Sequence, residues 1–247
     1  MNKFRLVRSL PAGAEYNMSL DREIFSRYLK DRRPVLRLYG WSGPSFTYGI
    51  SQTPENIINL SACASDGIGV AARMTGGGVL FHNDEITYSF VCSKSDIGEP
   101  QGVFVSYRQI CSFLVRFYES IGLKASFALQ DKGFNDRCAP SELCSASFEK
   151  YDIVISGRKI GGNAQKRSRE VIFQHGSIPI KIDWGFVSRY LKSLPQGISS
   201  SVTTLSDEAA VSIDRDYLTD KLIKAFGAEF RADFIEEDRT VYETCMA

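Results

Sequence analysis

The sequence predicts an α+β domain with a mixed, largely antiparallel sheet flanked by helices. Two long segments carry apolar residues at the three- and four-residue steps of a helix, and several short β-rich segments are separated by glycine, proline and serine. The 247 residues, 43% of them hydrophobic, are enough for one sizeable core. Too little chain follows the polar segment at 197–207 to build a second core, so we expect a single domain over residues 1–247.

The helices are predicted from apolar spacing. The first begins near Asn17, a candidate N-cap, and runs to Lys30. The second runs from Gly102 to about Ile121 and is the most regular, which places Cys111 in the core. Two shorter helices are expected towards the C-terminus, near 183–193 and 216–226.

The strands are predicted from runs of β-branched and aromatic residues. The first three are VLRLYG, FTYGI and IGVAA. Val79–Phe81 and Ile86–Cys92 are expected to form a hairpin-like pair around HNDE. Further strands are expected at 126–129, 151–155, 159–165 and 171–180.

Charge and cysteine content exclude several classes of protein. Thirty basic and 29 acidic residues leave a net charge of +1, so no global field favours nucleic acid or a membrane surface. No segment reaches the roughly 18 apolar residues that span a bilayer, and no signal peptide is recognisable. The six cysteines form no CxxC pattern. We therefore expect a cytoplasmic protein with reduced thiols.

The segment ARMTGGGVLFHNDEITYSF, residues 72–90, is the first candidate binding motif. Glycines at 76, 77 and 78 would let backbone amides approach a ligand, although three glycines alone are more often a tight turn. Neither the Walker pattern nor GxGxxG before a helix is present. His82 and His175 are the only histidines, which is weak evidence for zinc, and we predict no metal site.

The segment SGRKIGGNAQKR, residues 156–167, is the second candidate binding motif. It places Lys159 just before two glycines within a strand-like pattern. Glycine inside a strand is destabilising and usually marks close approach by a ligand or another backbone. We therefore expect Gly161 and Gly162 to make room for a group near Lys159.

Taken in order, RMTGGGVLFH, EITYSF, YDIVISGRKIGGNAQKR and IFQHGSIPI resemble the lipoate-protein ligase and octanoyltransferase family. The resemblance covers most of the chain, from about Asn17 to the TTLSD segment. It implies the biotin/lipoyl protein ligase catalytic-domain fold, with a tunnel for a medium-length acyl chain. It also implies that an octanoyl or lipoyl group is transferred to the lysine of a lipoyl domain.

The resemblance also implies the site residues. The lysine of the GRK motif is essential in the family and here is Lys159, whose ammonium would polarise the acyl carbonyl or, with its charge removed, shuttle a proton. The residues expected to bind substrate are Arg73, Thr75, Gly76, Gly77, Gly78, His82, Gly162, Asn163, Ala164 and His175.

One cysteine distinguishes the branches of the family. The cysteine-dependent octanoyltransferases place it seven residues before the tyrosine of the GRK strand, and Cys144 stands there. A buried structural cysteine is the commoner case, and Cys138 is the competing nucleophile, with the other four taken as structural. The QHGS tail is also typical of the transferases. The resemblance thus implies an acyltransferase that uses a Cys144 thioester and needs no cofactor.

Several positions depart from the transferase pattern and leave other functions open. Gly78 stands where the transferases often have arginine, Ala72 replaces the first of two arginines, Asn83 replaces aspartate, and the usual Phe and Pro after Cys144 are missing. An ATP- and Mg²⁺-dependent lipoate ligase, with Arg73, the three glycines and Lys159 around an adenylate, is the main alternative. A non-catalytic acyl-binding protein and a biotin ligase are weaker ones.

The resemblance names the partners. The donor would be an acyl carrier protein or free lipoate, and the acceptor a glycine cleavage H-type protein or a 2-oxoacid dehydrogenase E2. Neither nucleic acid nor membrane is implied. Because carrier proteins and lipoyl domains are acidic, a local basic face at Lys166, Arg167 and Arg169 would assist encounter, with a solvated turn equally compatible.

Overall fold

The structure is a computed structural model and describes residues 2–131, 149–168, 171–208 and 214–243. The helices of these ranges are α1 (Ala14–Asp31), α2 (Leu60–Ser65), α3 (Val103–Ser120), α4 (Trp184–Ser188), α5 (Ile198–Ser201), α6 (Leu205–Glu208), α7 (Arg215–Phe230) and α8 (Thr240–Glu243). Short 3₁₀ turns lie at Pro54–Asn56, Ser95–Ile97 and Ala128–Gln130.

The strands of the described ranges come in the following order along the chain. They are β1 (Asn2–Arg8), β2 (Val35–Tyr39), β3 (Ser45–Tyr48), β4 (Gly69–Ala72), β5 (Leu80–His82), β6 (Asp84–Ser93), β7 (Ala125–Phe127), β8 (Ile153–Ile155), β9 (Arg158–Ile160), β10 (Gly162–Arg167), β11 (Val171–Lys181), β12 (Val202–Thr203) and β13 (Ala232–Glu236).

Within the described residues these strands form three sheets. The central sheet has the order β10-β11-β6-β2-β1-β13, and two smaller sheets have the orders β12-β9-β8-β7 and β4-β3-β5. The β1–β2, β1–β13, β3–β4 and β9–β12 pairs are parallel, and the other neighbours are antiparallel. The predicted α+β class with a mixed, largely antiparallel sheet is confirmed.

The central sheet is covered by helices on both faces, because successive side chains along its strands point to opposite sides. On one face Phe90 packs against Phe226 of α7 with ring centroids 4.9 Å apart, and Phe113 of α3 lies 5.1 Å from the same ring. On the other face Val91 and Phe173 belong to the cluster that buries α1. The period-two pattern of β6 therefore divides the core between two helical layers.

The α1 face also buries a charged pair. The Arg37 guanidinium is fully buried and donates to Asp21 Oδ1 at 2.7 Å, to the Asn17 carbonyl at 3.0 Å and to Asn17 Oδ1 at 2.8 Å. Asp21 also accepts from Ser89 at 2.8 Å and from Tyr39 at 3.1 Å. Since the Arg37 cation is paired with the Asp21 carboxylate, α1 is fixed against β2 without an unpaired charge.

Removal of the Asp21 carboxylate is expected to destabilise the protein strongly. Asp21→Ala leaves the Arg37 cation buried without its counterion, which typically costs about 3–5 kcal/mol. Denaturant unfolding measures this change. The matched control is Asp220→Ala, because Asp220 pairs with Arg8 at 3.3 Å on the surface and such pairs contribute about 0–1 kcal/mol. Equal effects of the two substitutions would contradict this account.

Three predicted elements differ in the structure. Asn17 is not a cap: α1 begins three residues earlier, with Gly13 as N-cap, and the Asn17 amide donates to the carbonyls of Ala12 and Gly40, each at 3.1 Å. The predicted hairpin around HNDE is also wrong, because β5 pairs with β3 whereas β6 pairs with β2 and β11. The predicted strand at 159–165 is two strands in different sheets.

The remaining elements match in place with changed lengths. The helix expected near 183–193 is only the short α4, and the polar segment at 197–207 forms α5, β12 and the start of α6 rather than a plain loop. Cys111 is fully buried, as predicted. Within the described ranges, no helix is long and apolar enough to cross a bilayer.

Candidate active site

A narrow buried cavity lies where α1, the β3–β4–β5 sheet and the β10–β11 end of the central sheet meet. The side chains and backbone around it come from Met18, Tyr39, Trp41, Thr47, Arg73, Leu80, His82, Thr87, Gly162, Ala164, His175, Gly176 and Ser177. The volume open to the centre of a water molecule is about 10 Å³, so the cavity has room for roughly one water. Wall side chains must therefore move before a longer molecule enters.

His82, on β5, is held on both ring nitrogens. Its Nδ1 lies 2.9 Å from Glu85 Oε1, and its Nε2 lies 2.7 Å from the Thr47 hydroxyl. Trp41 stacks on the imidazole with centroids 4.0 Å apart and planes at 15°. His82 and Glu85 are both 3% exposed, so water does not compete for these bonds.

Glu85 fixes the proton position on one nitrogen of the His82 ring. An ionised carboxylate only accepts, so His82 Nδ1 carries the proton that Glu85 accepts. Thr47 Oγ1 also accepts from Arg73 at 2.9 Å, and its hydroxyl keeps both a hydrogen and a lone pair for His82 Nε2. Burial alone would raise the pKa of Glu85, but the neighbouring His82 and the hydroxyls of Thr87 and Ser177 together lower it. Glu85 is thus a carboxylate at neutral pH.

Arg73, at the end of β4, shapes the glycine segment. Its buried guanidinium donates to the Thr47 carbonyl at 2.9 Å, to the Gly78 carbonyl at 2.6 Å and to the Gly76 carbonyl at 3.2 Å. Gly77 has φ +91°, a conformation that favours glycine. The predicted turn is therefore real, and two of its carbonyls face Arg73.

His175, on β11, is neutral. Its Nε2 lies 2.9 Å from the Thr75 hydroxyl, and its Nδ1 lies 3.9 Å from Asp21 Oδ2. Burial, together with the positive charge of Arg73 and the neighbouring His82, holds the pKa of His175 well below its usual value. The side chain therefore offers the cavity a dipole and not a charge.

Lys159, on β9, is 1% exposed and its Nζ lies 2.7 Å from Asp152 Oδ2. Asp152 is also buried, and its Oδ2 accepts from the Glu149 backbone N–H at 2.7 Å. An opposite charge at this distance favours the ammonium form of a lysine. The pair lies one sheet away from the cavity, and the chain joins the two sites through Gly161 and Gly162.

Gly161 makes room for backbone rather than for a substrate, contrary to the prediction. Its φ is +73°, and a Cβ there would come within 2.0 Å of the Ser177 carbonyl oxygen. This left-handed residue lets the chain leave the sheet of β9 and enter the central sheet as β10. Gly162, in contrast, does line the cavity.

A wider groove adjoins the cavity and has a volume of about 310 Å³. Ala164 lines both, so the groove and the cavity are neighbours. Its wall consists of Gly76, Gly77, Val103, Phe104, Tyr107, Glu149, Lys150, Tyr151, Asn163, Ala164, Gln165 and Arg167. The Tyr107 hydroxyl donates to the Asn163 carbonyl at 3.2 Å, and the Tyr88 hydroxyl donates to Asn163 Oδ1 at 2.7 Å.

The structure brings together most of the predicted binding residues. Arg73, His82, Gly162, Ala164 and His175 line the cavity, with Thr75 and Gly78 bonded to its wall, while Gly76, Gly77 and Asn163 line the groove. Lys159 is not among the residues that line either space. Cys144, its competitor Cys138, Arg169 and Cys245 lie outside the described residues.

The predicted basic face is partly committed to other contacts. Arg167 donates to the Ser106 hydroxyl and to Gln165, and the Lys166 ammonium lies 5.5 Å from the centre of the Phe25 ring. Both side chains are half-buried. Within the part of the chain that the structure describes, no three histidine, cysteine or acidic side chains are grouped as metal ligands.

Sequence reasoning missed several residues of the site, namely Asp21, Trp41, Thr47, Glu85 and Asp152. Asp21, Thr47 and Asp152 lie inside segments predicted only as a helix or strands, whereas Trp41 follows a predicted strand and Glu85 lies in the predicted turn HNDE. Asp152 had a signal, since it is an acidic residue inside an otherwise apolar strand pattern. Such a residue is expected to be buried with a partner.

Comparisons with known proteins show the family. The family model for the lipoyl protein ligase A/B catalytic domain matches residues 13–227. Octanoyltransferase LipM of Kyrpidia tusciae is 32% identical, over 100% of this chain and 96% of the relative. Octanoyltransferase LipM of Clostridioides difficile is 28% identical, over 98% of this chain and 93% of the relative.

Solved structures share the fold. Lipoate-protein ligase A bound with ATP superposes with a TM-score of 0.79 at 23% identity, covering 99% of this chain and 92% of that one. A bi-partite lipoate protein ligase of Thermoplasma acidophilum, studied with its E2 lipoyl domain, gives 0.77 at 22% identity, covering 100% and 91%. By the family match and the full-length relatives, this chain belongs to the lipoyl protein ligase A/B catalytic-domain family.

Proposed function

We propose that this protein transfers an octanoyl group from an acyl carrier protein to the lysine of a lipoyl domain, through a thioester on Cys144. It is an acyltransferase of protein lipoylation. The observation that carries the proposal is its full-length similarity to octanoyltransferases, together with the position of Cys144 relative to Lys159 in the sequence. We further propose that residues 1–247 form one catalytic domain, because β1 and β13 pair in the same sheet.

The proposed reaction has two acyl transfers. In the first, the Cys144 thiolate attacks the carbonyl of the octanoyl thioester, and the carrier's thiol leaves with the proton that the cysteine has lost. In the second, the uncharged lysine amine of the lipoyl domain attacks the enzyme thioester. The amine gives up a proton as the amide forms, and the Cys144 thiol is restored.

Lys159 is proposed to stabilise the oxyanion of each tetrahedral intermediate. The carboxylate of Asp152, 2.7 Å from its Nζ, favours the ammonium over the free amine. An ammonium stabilises negative charge on oxygen but accepts no proton. The ion pair therefore favours the electrostatic role over the proton shuttle, the two roles that the sequence left open.

The other cysteines within the described residues are poor nucleophiles. Cys63, Cys92 and Cys111 are buried. Burial raises the pKa of the Cys111 thiol to about 12, and it also raises the pKa of Cys92 and of Cys63. All three stay protonated at neutral pH, and the thiolate is the reactive form. This supports a nucleophile among the cysteines outside the described residues, of which the sequence motif singles out Cys144 with Cys138 as its competitor.

The groove is proposed to hold the pantetheine arm of the donor. It adjoins the cavity at Ala164, and Phe104 and Tyr107 give it an apolar wall that suits the carbon chain of the arm. Lys150 and Arg167 lie along it as cations for the arm's phosphate. The cavity beyond would then receive the acyl chain, with Arg73, Thr75, His82, Gly162 and His175 around it.

Lipoate ligation with ATP and Mg²⁺ is the second candidate. One residue favours it: Gly78 completes a GGG segment where the transferases often carry arginine. In that reaction Arg73, the glycine segment and Lys159 would surround an acyl-adenylate. The transferase reaction, in contrast, is proposed to need no cofactor.

The experiment is a comparison of donors on one acceptor. The protein and an apo lipoyl domain, either an H-type protein or an E2 domain, are incubated with octanoyl-carrier protein, with octanoyl-pantetheine, or with lipoate plus ATP and Mg²⁺. Modification by the first two donors, seen by mass spectrometry, is the expected result. Modification only with lipoate and ATP, accompanied by lipoate-dependent exchange of pyrophosphate into ATP, would replace the transferase function by the ligase function.

A further inference from the structure

Glu85 lies directly behind the cavity wall, and its carboxylate joins four residues that line the cavity. Oε1 accepts from Trp41 Nε1 at 3.0 Å, from His82 Nδ1 at 2.9 Å and from the Thr87 hydroxyl, and Oε2 accepts from Ser177 at 2.7 Å. Glu85 itself is not among the lining residues. One carboxylate thus fixes wall residues from β5, β6, β11 and the segment after β2.

These contacts leave the wall few ways to move. All four partners are donors, and an ionised carboxylate offers two oxygens that accept and nothing that donates. Trp41 is further fixed by its second bond, to Thr87 Oγ1 at 2.8 Å, and by its stack on His82. To swing any of these side chains out of the wall would leave a buried polar group unpaired, which costs about 1–3 kcal/mol.

Other parts of the wall have no such restraint. Met18 and Leu80 are apolar side chains held only by packing, and methionine in particular adapts its shape to what it contacts. Because the cavity is barely wide enough for one water, a chain must displace part of the wall as it enters. Met18 and Leu80 would move aside for an entering acyl chain. The wall residues bonded to Glu85 would stay in place and set where that acyl chain stops or turns.

We propose that Glu85 is a specificity-determining positioning residue: by fixing Trp41, His82, Thr87 and Ser177 as a rigid wall, it sets the length of acyl chain that the enzyme accepts. This inference rests on the proposed function, in which the cavity receives the acyl chain. Glu85 acts through its neighbours and does not touch the reacting carbonyl.

The test measures chain-length preference in Glu85 variants of the full chain. Glu85→Leu keeps a side chain of similar bulk and removes both acceptor oxygens. Glu85→Gln keeps Oε1 as the acceptor for Trp41, His82 and Thr87. Its amide N–H can donate to the Ser177 hydroxyl oxygen in place of the bond that Oε2 accepted. The kcat/KM ratio of octanoyl to decanoyl donor is expected to fall by about tenfold or more in Glu85→Leu, since one or two methylenes in a fitted pocket are worth about that much. Glu85→Gln is expected to stay within about threefold of wild type.

The controls separate this role from a purely structural one. Glu236→Leu, on the half-exposed strand β13, is expected to keep the wild-type ratio. If Glu85→Leu does not fold, Trp41→Phe keeps the ring over His82 but removes its donor, and Ser177→Ala frees Oε2. Each is expected to lower the ratio in the same direction. An unchanged ratio, with kcat/KM reduced equally for both donors, would overturn the inference.

The same variants distinguish failure of the inference from failure of the proposed function. If the wild type makes no octanoyl amide from any donor, the proposed function fails. The inference is then judged by calorimetric titration with free octanoate and decanoate. A ratio of their dissociation constants that changes in Glu85→Leu but not in Glu85→Gln supports it, and equal ratios in all variants overturn it.

Discussion

Lys159→Met is expected to lower kcat for octanoyl transfer by about 10²–10³-fold, the usual cost of removing one group that stabilises an oxyanion. Methionine has nearly the length of lysine and carries no charge, so the change removes the ammonium and little else. The ammonium is 2.7 Å from Asp152 and buried, so water or buffer cations cannot take its place. Steady-state rates with octanoyl-carrier protein at saturating acceptor measure the effect.

The substitution also leaves Asp152 without a counterion, which by itself costs stability. Lys159→Met combined with Asp152→Asn removes both charges and is expected to restore stability but not kcat. The matched surface control is Lys224→Met, an exposed position on α7 where activity is expected to be unchanged. A folded Lys159→Met enzyme with nearly wild-type kcat would remove Lys159 from the mechanism.

Cys144→Ser is expected to abolish transfer from octanoyl-carrier protein, with a loss of at least about 10³-fold, because removal of a nucleophile removes the covalent route as a whole. A serine hydroxyl in the same place is scarcely ionised at neutral pH, whereas a cysteine beside a cation is partly a thiolate. Mass spectrometry of the enzyme mixed with donor alone should detect one octanoyl group in the wild type and none in the variant.

Cys138→Ser is the matched control, since it changes the competing cysteine by the same single atom. It is expected to keep both the octanoyl adduct and the transfer rate. If Cys138→Ser loses the adduct and Cys144→Ser keeps it, the nucleophile is Cys138. If neither variant loses transfer from octanoyl-carrier protein, the thioester mechanism on these two cysteines is wrong.

The parts of the fold that depend on local patterns could be predicted from the sequence. The spacing of Ile110, Leu114 and Phe117 along α3 follows from one helix burying one face, and β2 and β6 follow from β-rich runs between turn residues. The predicted binding residues have a different origin, because their motifs resemble a known family. The fold places Arg73, His82 and His175 around one cavity, and substrate binding by them stays a prediction.

The rest depends on partners that are distant in the chain. Residues 80–82 (β5) and 84–93 (β6) look like two arms of a hairpin in the sequence. In the structure β5 pairs with β3, whereas β6 pairs with β2 and β11. The two strands therefore lie in different sheets, and the cavity wall forms between those sheets. The role of Gly161 likewise depends on the Ser177 carbonyl, sixteen positions away, which no local pattern reveals. In the sequence, Asp21 is one charged residue of a predicted amphipathic helix, and only the fold shows that it pairs with the buried Arg37.

The parallel pairing of β1 with β13 has a consequence for synthesis. Asn2 lies opposite Ala232, so the outer edge of the first strand must wait for a partner until β13, some 230 residues later, has left the ribosome. Closing so long a loop is slow, and an unpaired strand edge is a template for association with other chains. Newly made protein is therefore expected to depend on chaperones while the edge is open, and a fusion that delays the last strand should lower the soluble yield.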